Sequence, residues 1–161
     1  MEIEMKIRGL MMDPAANTPI VILKDVNGES MLPIWVGLFE ANAIALQIEN
    51  VATPRPMTHD LLRNIITDLE GRVDRIVVSD LKENTFYAVV HLTVRGERVA
   101  IDARPSDAIA LALRTRAPIL VEETVIENAK TVDFGSERMD TDNVQKWLEA
   151  LDPAELPKYK M

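Results

Sequence analysis

Two short stretches of this chain gather the residue types that acid–base and phosphate chemistry use. One is Arg104-Pro-Ser-Asp107, preceded by Ile101-Asp-Ala and followed by the apolar run Ala108-Ile-Ala-Leu-Ala-Leu113. The other is Pro54-Arg-Pro-Met-Thr-His-Asp60. Each joins an arginine, a proline, a hydroxyl and an aspartate at what reads as the start of a helix, and Pro105 suits the first helical turn because its missing N–H has no partner there. Arg55 and Arg104 both precede prolines, which bias them towards extended backbone. Two stiffened arginines beside helix N-termini make a pocket for phosphate or carboxylate, with Thr58 and Ser106 adding hydroxyls.

His59 sits between Thr58 and Asp60, and imidazole titrates near neutral pH, so it is a candidate general acid or base. The plainer alternative is an exposed first-turn residue, with Thr58 capping the helix and Asp60 complementing its dipole. Asp102, Asp107 and Glu40 are hard oxygen donors of the kind Mg²⁺ or Mn²⁺ prefers. Against this, an acid in the first turn of a helix is worth about 0.3–1 kcal/mol with no catalytic role. Asp102 falls in a strand expected to be substantially buried, where a carboxylate needs a partner; a metal, Arg104 or Arg55 would serve. His91 is expected on the outward face of its strand, beside Tyr87. The chain has two histidines and no cysteine. Disulfides, thiolate metal sites and a convincing Ser-based triad are therefore excluded, and no Gly-rich phosphate loop occurs.

The elements that must position these residues follow from periodicity. Strands are expected over Met5–Met11, Pro19–Val26 and Met31–Val36, with Asn27-Gly28 as a tight hairpin turn whose two positions need φ > 0. Leu38–Glu49 has Ala41, Ile44, Ala45 and Ile48 spaced for one helix face. A middle helix starts at Thr58, carries the stripe Leu61, Leu62, Ile65, Ile66 and Leu69, and stops at Gly71. The pattern then recurs: strand Val73–Ser79, alternating strand Phe86–Val94, turn Arg95-Gly96, strand Arg98–Ala103 and helix Ser106–Arg114. Asn17-Thr and Asn27-Gly-Glu are echoed by Asn84-Thr and Arg95-Gly-Glu, and Ala43-Ile-Ala-Leu46 by Ala108-Ile-Ala-Leu111. The expected fold is α+β: duplicated β-β-β-α units whose two sheets or half-sheets pack together, a central helix between the units, and a C-terminal helical tail.

Pro118–Val121 reads as a short strand, followed by a helix over Glu123–Thr131. The domain is expected over 1–132. Residues 133–161 form an acidic appendage in which Thr141 caps a helix with Val144, Trp147, Leu148 and Leu151 on one face. So short a helix must dock to be ordered, as a brace or as an acidic cover over an arginine-rich surface.

The net charge of −8 opposes a broad, nonspecific grip on nucleic acid, which relies on neutralising phosphates. The distribution of charge weakens that objection, because residues 55–116 hold nine of the eleven arginines. The N-terminus lacks the basic region and apolar run of a signal peptide, and no apolar stretch approaches the roughly 20 residues of a membrane span. A soluble cytoplasmic protein is the expectation.

Leu32-Pro-Ile-Trp-Val-Gly37 with Glu40-Ala41, Arg55-Pro56 with Thr58-His-Asp-Leu61, and Asp102-Ala-Arg-Pro-Ser-Asp-Ala-Ile-Ala-Leu111 together resemble the bifunctional nuclease domain family, from about residue 1 to about residue 131. The resemblance implies activity on both DNA and RNA, an α+β fold and self-association. It places the family's polar positions on Glu40, Arg55, Thr58, His59, Asp60, Asp102, Arg104, Ser106 and Asp107. Two functions follow as expectations. One is a phosphodiesterase, with His59, Asp60, Asp107 and Glu40 as candidate catalytic residues and His59 moving protons, Asp102 and Asp107 on a divalent cation with Glu40 as a further candidate ligand, and Arg55 and Arg104 on the phosphate. The other is a non-enzymatic domain that binds a small anion or a partner protein.

Overall fold

Alternation of apolar and polar residues builds most of this chain into strands. The computed structural model describes residues 1–129; the expected tail helix lies outside them. The first half runs β1 (Glu2–Asp13), β2 (Thr18–Asp25), β3 (Met31–Trp35) and α1 (Leu38–Ile48). After α2 (Thr58–Asp68) come β4 (Gly71–Lys82), β5 (Thr85–Val94), β6 (Glu97–Ala103) and α3 (Pro105–Thr115). Then β7 (Ile119–Glu122) and α4 (Glu123–Asn128) follow. In β5 the alternation is read out directly: Ala88, Val90 and Leu92 are buried, while Tyr87 is exposed and His91 lies on Tyr87's face of the strand.

The fold is a mixed α and β arrangement, but the strands form one sheet, not two packed sheets. Among the described residues its order is β3-β2-β1-β7-β4-β5-β6. Each group of three consecutive strands is an antiparallel meander with one unpaired inner edge, at β1 and at β4. The short strand β7 closes both, antiparallel to β1 through Ile3↔Val121 and parallel to β4 through Val77↔Leu120. Unpaired backbone groups on a buried strand edge are costly, and four residues of β7 satisfy two edges at once. No helix among the described residues is long and apolar enough to cross a membrane.

The turns differ from expectation in an instructive way. Asn27 and Gly28 do not take positive φ; the loop is wider, with the Asp25 N–H donating to the Ser30 carbonyl and the Asn27 N–H to the Asp25 carboxylate. An aspartate that bonds the backbone two residues on offers its own turn, and here it displaces the tight hairpin. The two-residue turns are Glu83-Asn84 and Arg95-Gly96, each with both residues at positive φ and each closed by paired strand ends. Gly71 is not the stop of α2 either. Glu70 takes the left-handed conformation there, at φ 62°, and Gly71 opens β4.

α3 is the central helix, packed against α1 on one side, α2 on another and β4 and β5 beneath. Its Ala108, Ile109, Ala110, Leu111 and Ala112 are all buried. Ala41 and Ala45 of α1 are fully enclosed too, and short side chains let helices approach closely. The expected stripe of α2 behaves otherwise. Leu61, Leu62, Ile65 and Leu69 are 40–59% exposed, and only Ile66 reaches the core. The residue of α2 that is buried is His59, so the helix is rolled with its polar first turn inward.

These burials set an expected contrast. Ile109→Ala should cost about 2–5 kcal/mol in urea denaturation, as large-to-small changes in a closed core do. Ile65→Ser should change stability by no more than about 0.5 kcal/mol. A loss above about 1.5 kcal/mol at Ile65 would show that something covers α2.

Candidate active site

The first turns of three helices meet through charged side chains. α3 begins with Arg104 as N-cap and Pro105 at its first position, as the sequence leads one to expect. That places Asp107 in the first turn, facing α2, where its Oδ1 lies 2.9 Å from His59 Nε2. The other oxygen of Asp107 accepts from Arg104 Nε at 2.9 Å, and Arg104 Nη2 donates to Glu40 Oε1 of α1 at 2.8 Å. The result is a continuous chain Glu40–Arg104–Asp107–His59 across α1, α3 and α2. Asp107 and Glu40 together raise the Arg104 pKa above its ordinary value, the Asp107 hydrogen bond being the larger cause.

Exposure peaks at Arg104, with Glu40 mostly covered on one side of it, and falls towards His59 on the other. Arg104 is two-thirds exposed, Asp107 is partly covered, and His59 is only 7% exposed. His59 is therefore not the exposed first-turn residue of the plainer alternative; the carboxylate stands between it and solvent. Gly37, the N-cap of α1, has an ordinary extended backbone, but a Cβ there would collide with the Glu40 carboxylate. Its role is space for Glu40.

One residue that the sequence motifs do not include lies at the centre of the helices. Arg114 is 8% exposed and donates to Asp60 Oδ1 at 2.7 Å, to the Ala43 carbonyl at 3.0 Å and to the Ala110 carbonyl at 2.9 Å. It thus ties α1, α2 and α3 by one guanidinium. A signal for it exists in the sequence: Arg114 follows directly on the uncharged run from Ala108 to Leu113, two turns from Asp107 on the same helix face. Asp60 also accepts from the Met57 N–H at 2.9 Å. Asp60 is thereby the capping side chain of α2, and Met57, not Thr58, is its N-cap. Burial pushes the Asp60 carboxyl up, but the Met57 N–H and Arg114 outweigh it and hold it below its ordinary value.

The segments 55–60 and 102–107 do converge, through His59 and Asp107. Arg55 does not share a recess with Arg104. It lines one with Met57, Asp60, Arg63 and Arg114, two turns of α3 away from Asp107, about 10 Å along the axis. Thr58 is exposed at the start of α2. Ser106 is buried at the start of α3, against a cavity it shares with Arg104. Arg72, Arg75 and Arg98 line a third recess, around His91.

The three candidate metal-ligating carboxylates differ in their surroundings. Asp102 is exposed, because β6 is an edge strand with residues 97–102 open to solvent, and it makes no ion pair among the described residues. Glu40 and Asp107 are neighbours, but Arg104 occupies the space between them. Among the described residues no three His, Asp or Glu side chains come together as a metal-holding group.

A mixed sheet carrying three helices whose first turns join in a carboxylate–guanidinium–carboxylate–imidazole chain defines a protein of mixed α and β class with a cluster of charged side chains at its helix starts. The chain belongs to the bifunctional nuclease domain family, which it matches over residues 21–133. It is 38% identical, over 98% of both chains, to an uncharacterized protein of Mycobacterium tuberculosis. It is 29% identical to Bifunctional nuclease 2 of Oryza sativa subsp. japonica over 69% of this chain and 35% of that protein. With Bifunctional nuclease 2 of Arabidopsis thaliana the identity is 26%, over 71% of this chain and 37% of that protein.

Two outcomes test the geometry. Because the folded pKa of Asp60 is depressed, its contribution to stability is complete above the unfolded value of about 3.9 and is lost as pH falls through the lower folded value. Asp60→Ala should cost roughly 3–5 kcal/mol at pH 7, since it strands a buried guanidinium, and urea denaturation should show the gap from wild type closing below about pH 4. Gly37→Ala should fold, and its crystal structure should show the Glu40 carboxylate displaced from Arg104.

Proposed function

We propose that this protein is a phosphodiesterase acting on DNA and RNA, with its chemistry at Arg104 and Asp107. The observation that carries the reading is the chain Glu40–Arg104–Asp107–His59, whose most exposed member is a guanidinium and whose most buried member is an imidazole. Arg104 commits Nε and Nη2 to carboxylates, leaving Nη1 for a phosphate oxygen, where it stabilises charge that develops in the transition state. Asp107 accepts the proton of an attacking water as that water's oxygen bonds to phosphorus and the bond from phosphorus to the leaving sugar oxygen breaks, and it then gives the proton to that oxygen. His59 is a positioning residue whose Nε2 fixes the Asp107 carboxylate. Glu40 holds the guanidinium from the far side, and Ser106 and the first turn of α3 complete the anion cradle.

The same reading takes β1–β2–β3–α1 and β4–β5–β6–α3 as a duplicated unit. Asn17 and Asn84, both at positive φ, precede the second strand of each, and the Ala-Ile-Ala-Leu run is buried in each helix. Glu40 and the Arg104–Asp107 pair then stand at equivalent helix starts. Self-association and a cytoplasmic location belong to this reading as well, with the exposed face of α2 as the surface between copies.

A second reading, a non-enzymatic domain that holds a small anion or a partner's carboxylate, is favoured by the net charge of −8, which opposes a long polyanion. Hydrolysis separates the two. Purified protein should cleave a labelled single strand, and Arg104→Met and Asp107→Asn should each lower the rate by about 10²–10⁴, the range for losing a charge-stabilising donor or a general base. Equal rates in both variants and wild type would trace the cleavage to a contaminant.

A further inference from the structure

A cavity of about 580 Å³ opens beside Arg104, and neither His59 nor Asp107 is among its lining residues. Its size falls within the range of small-ligand sites. One wall is Trp35, the last residue of β3, whose indole Nε1 donates to Asp13 Oδ2 at 3.0 Å. That bond orients the ring, which stays more than one-third exposed. Phe86 of β5 contributes a second aromatic side chain, Asn84 an amide, and Arg104 a guanidinium at its rim.

Ser106 lines the same cavity. It is 6% exposed, yet its hydroxyl has no hydrogen bond among the described residues. Among those residues no fully enclosed side-chain polar atom lacks a partner, so this hydroxyl keeps its opening to the cavity. The first intrahelical bond of α3 runs from the Ala108 N–H to the Arg104 carbonyl, which leaves the Ser106 and Asp107 N–H groups without helical partners. Aromatic walls at one end and a guanidinium, a hydroxyl and helix-start N–H groups at the other match one ligand class: a flat heteroaromatic base joined to a phosphate.

We propose that this cavity is a subsite for one unpaired nucleotide, its base against Trp35 and Phe86 and its phosphate at Arg104, Ser106 and the start of α3. Stacking inside a recess requires the base to leave a duplex, so the site favours single strands and unpaired ends. Asn84, with both donor and acceptor on its amide, contacts the base edge. The inference rests on the phosphodiesterase reading for the polymer, but binding of a single nucleotide stands apart from hydrolysis.

The test uses the two tryptophans of the chain. In full-length Trp147→Phe protein, fluorescence reports Trp35 alone, and it is titrated with AMP, ribose 5-phosphate and inorganic phosphate. AMP should quench saturably and bind about tenfold or more tighter than ribose 5-phosphate, as base–aromatic stacking supports. Adding Phe86→Leu should remove most of that margin, and Ser106→Ala should weaken AMP and ribose 5-phosphate alike. Calorimetric titration of the unaltered chain repeats the comparison should Trp147→Phe fail to fold. Equal affinity for AMP and ribose 5-phosphate, or no saturable binding of AMP, overturns the subsite. AMP binding with the base margin intact in a protein that cleaves nothing retains the subsite and removes the phosphodiesterase reading. Cleavage without a base margin does the reverse.

Discussion

Arg114 is the charge on which the helical layer depends. A guanidinium cannot be deprotonated and is costly to bury alone, so its enclosure beneath three helices holds only while its partners stay in place. Those partners are the Asp60 carboxylate and two backbone carbonyls, on α2, α1 and α3 itself. Apolar packing between α1 and α3 tolerates small slides, since area burial is non-directional. A planar fork of donors does not. The position of α2 is specified by that fork more than by burial, because most of its large apolar side chains face outward.

This explains why the first turn of α2 can serve a site. Asp60 and His59 are consecutive, and each meets α3, Asp60 at Arg114 and His59 at Asp107. The two contacts are two turns apart on α3, so together they fix both the position and the roll of α2. His59 is then held in register against Asp107 by the neighbouring Asp60–Arg114 ion pair. On the other side, Glu40 reaches Arg104 because Gly37 leaves room for its carboxylate. Structural charges lie inside, and the exposed charge of Arg104 borders a cavity that Trp35 and Phe86 also line.

Edges decide the sheet in a similar way. Two three-stranded meanders each leave one strand with unpaired backbone groups, and β7 joins them. Among the described residues the other ends of the sheet, β3 and β6, stay open. That is why Asp102, expected in a substantially buried strand, is instead exposed. Alternation states which residues share a face, not which strand is last in a sheet or whether the face is covered.

Local chemistry was legible in the residues themselves. The strands, the helix starts at Pro105 and near Thr58, the turn at Arg95-Gly96 and the alternation of β5 follow from steric and hydrogen-bonding rules that act within a few residues. The grouping of Glu40, Arg104, Asp107 and His59 was legible in part, because helix starts bearing those residue types point to a common place. What tertiary structure alone decided were the long-range matters: the single sheet closed by β7, the outward roll of α2, the separation of Arg55 from Arg104, and the burial of Arg114. Each depends on which surfaces and edges meet across tens of residues. The energies that settle this, from a buried guanidinium's partners to a strand edge's hydrogen bonds, exist only once the chain has closed on itself.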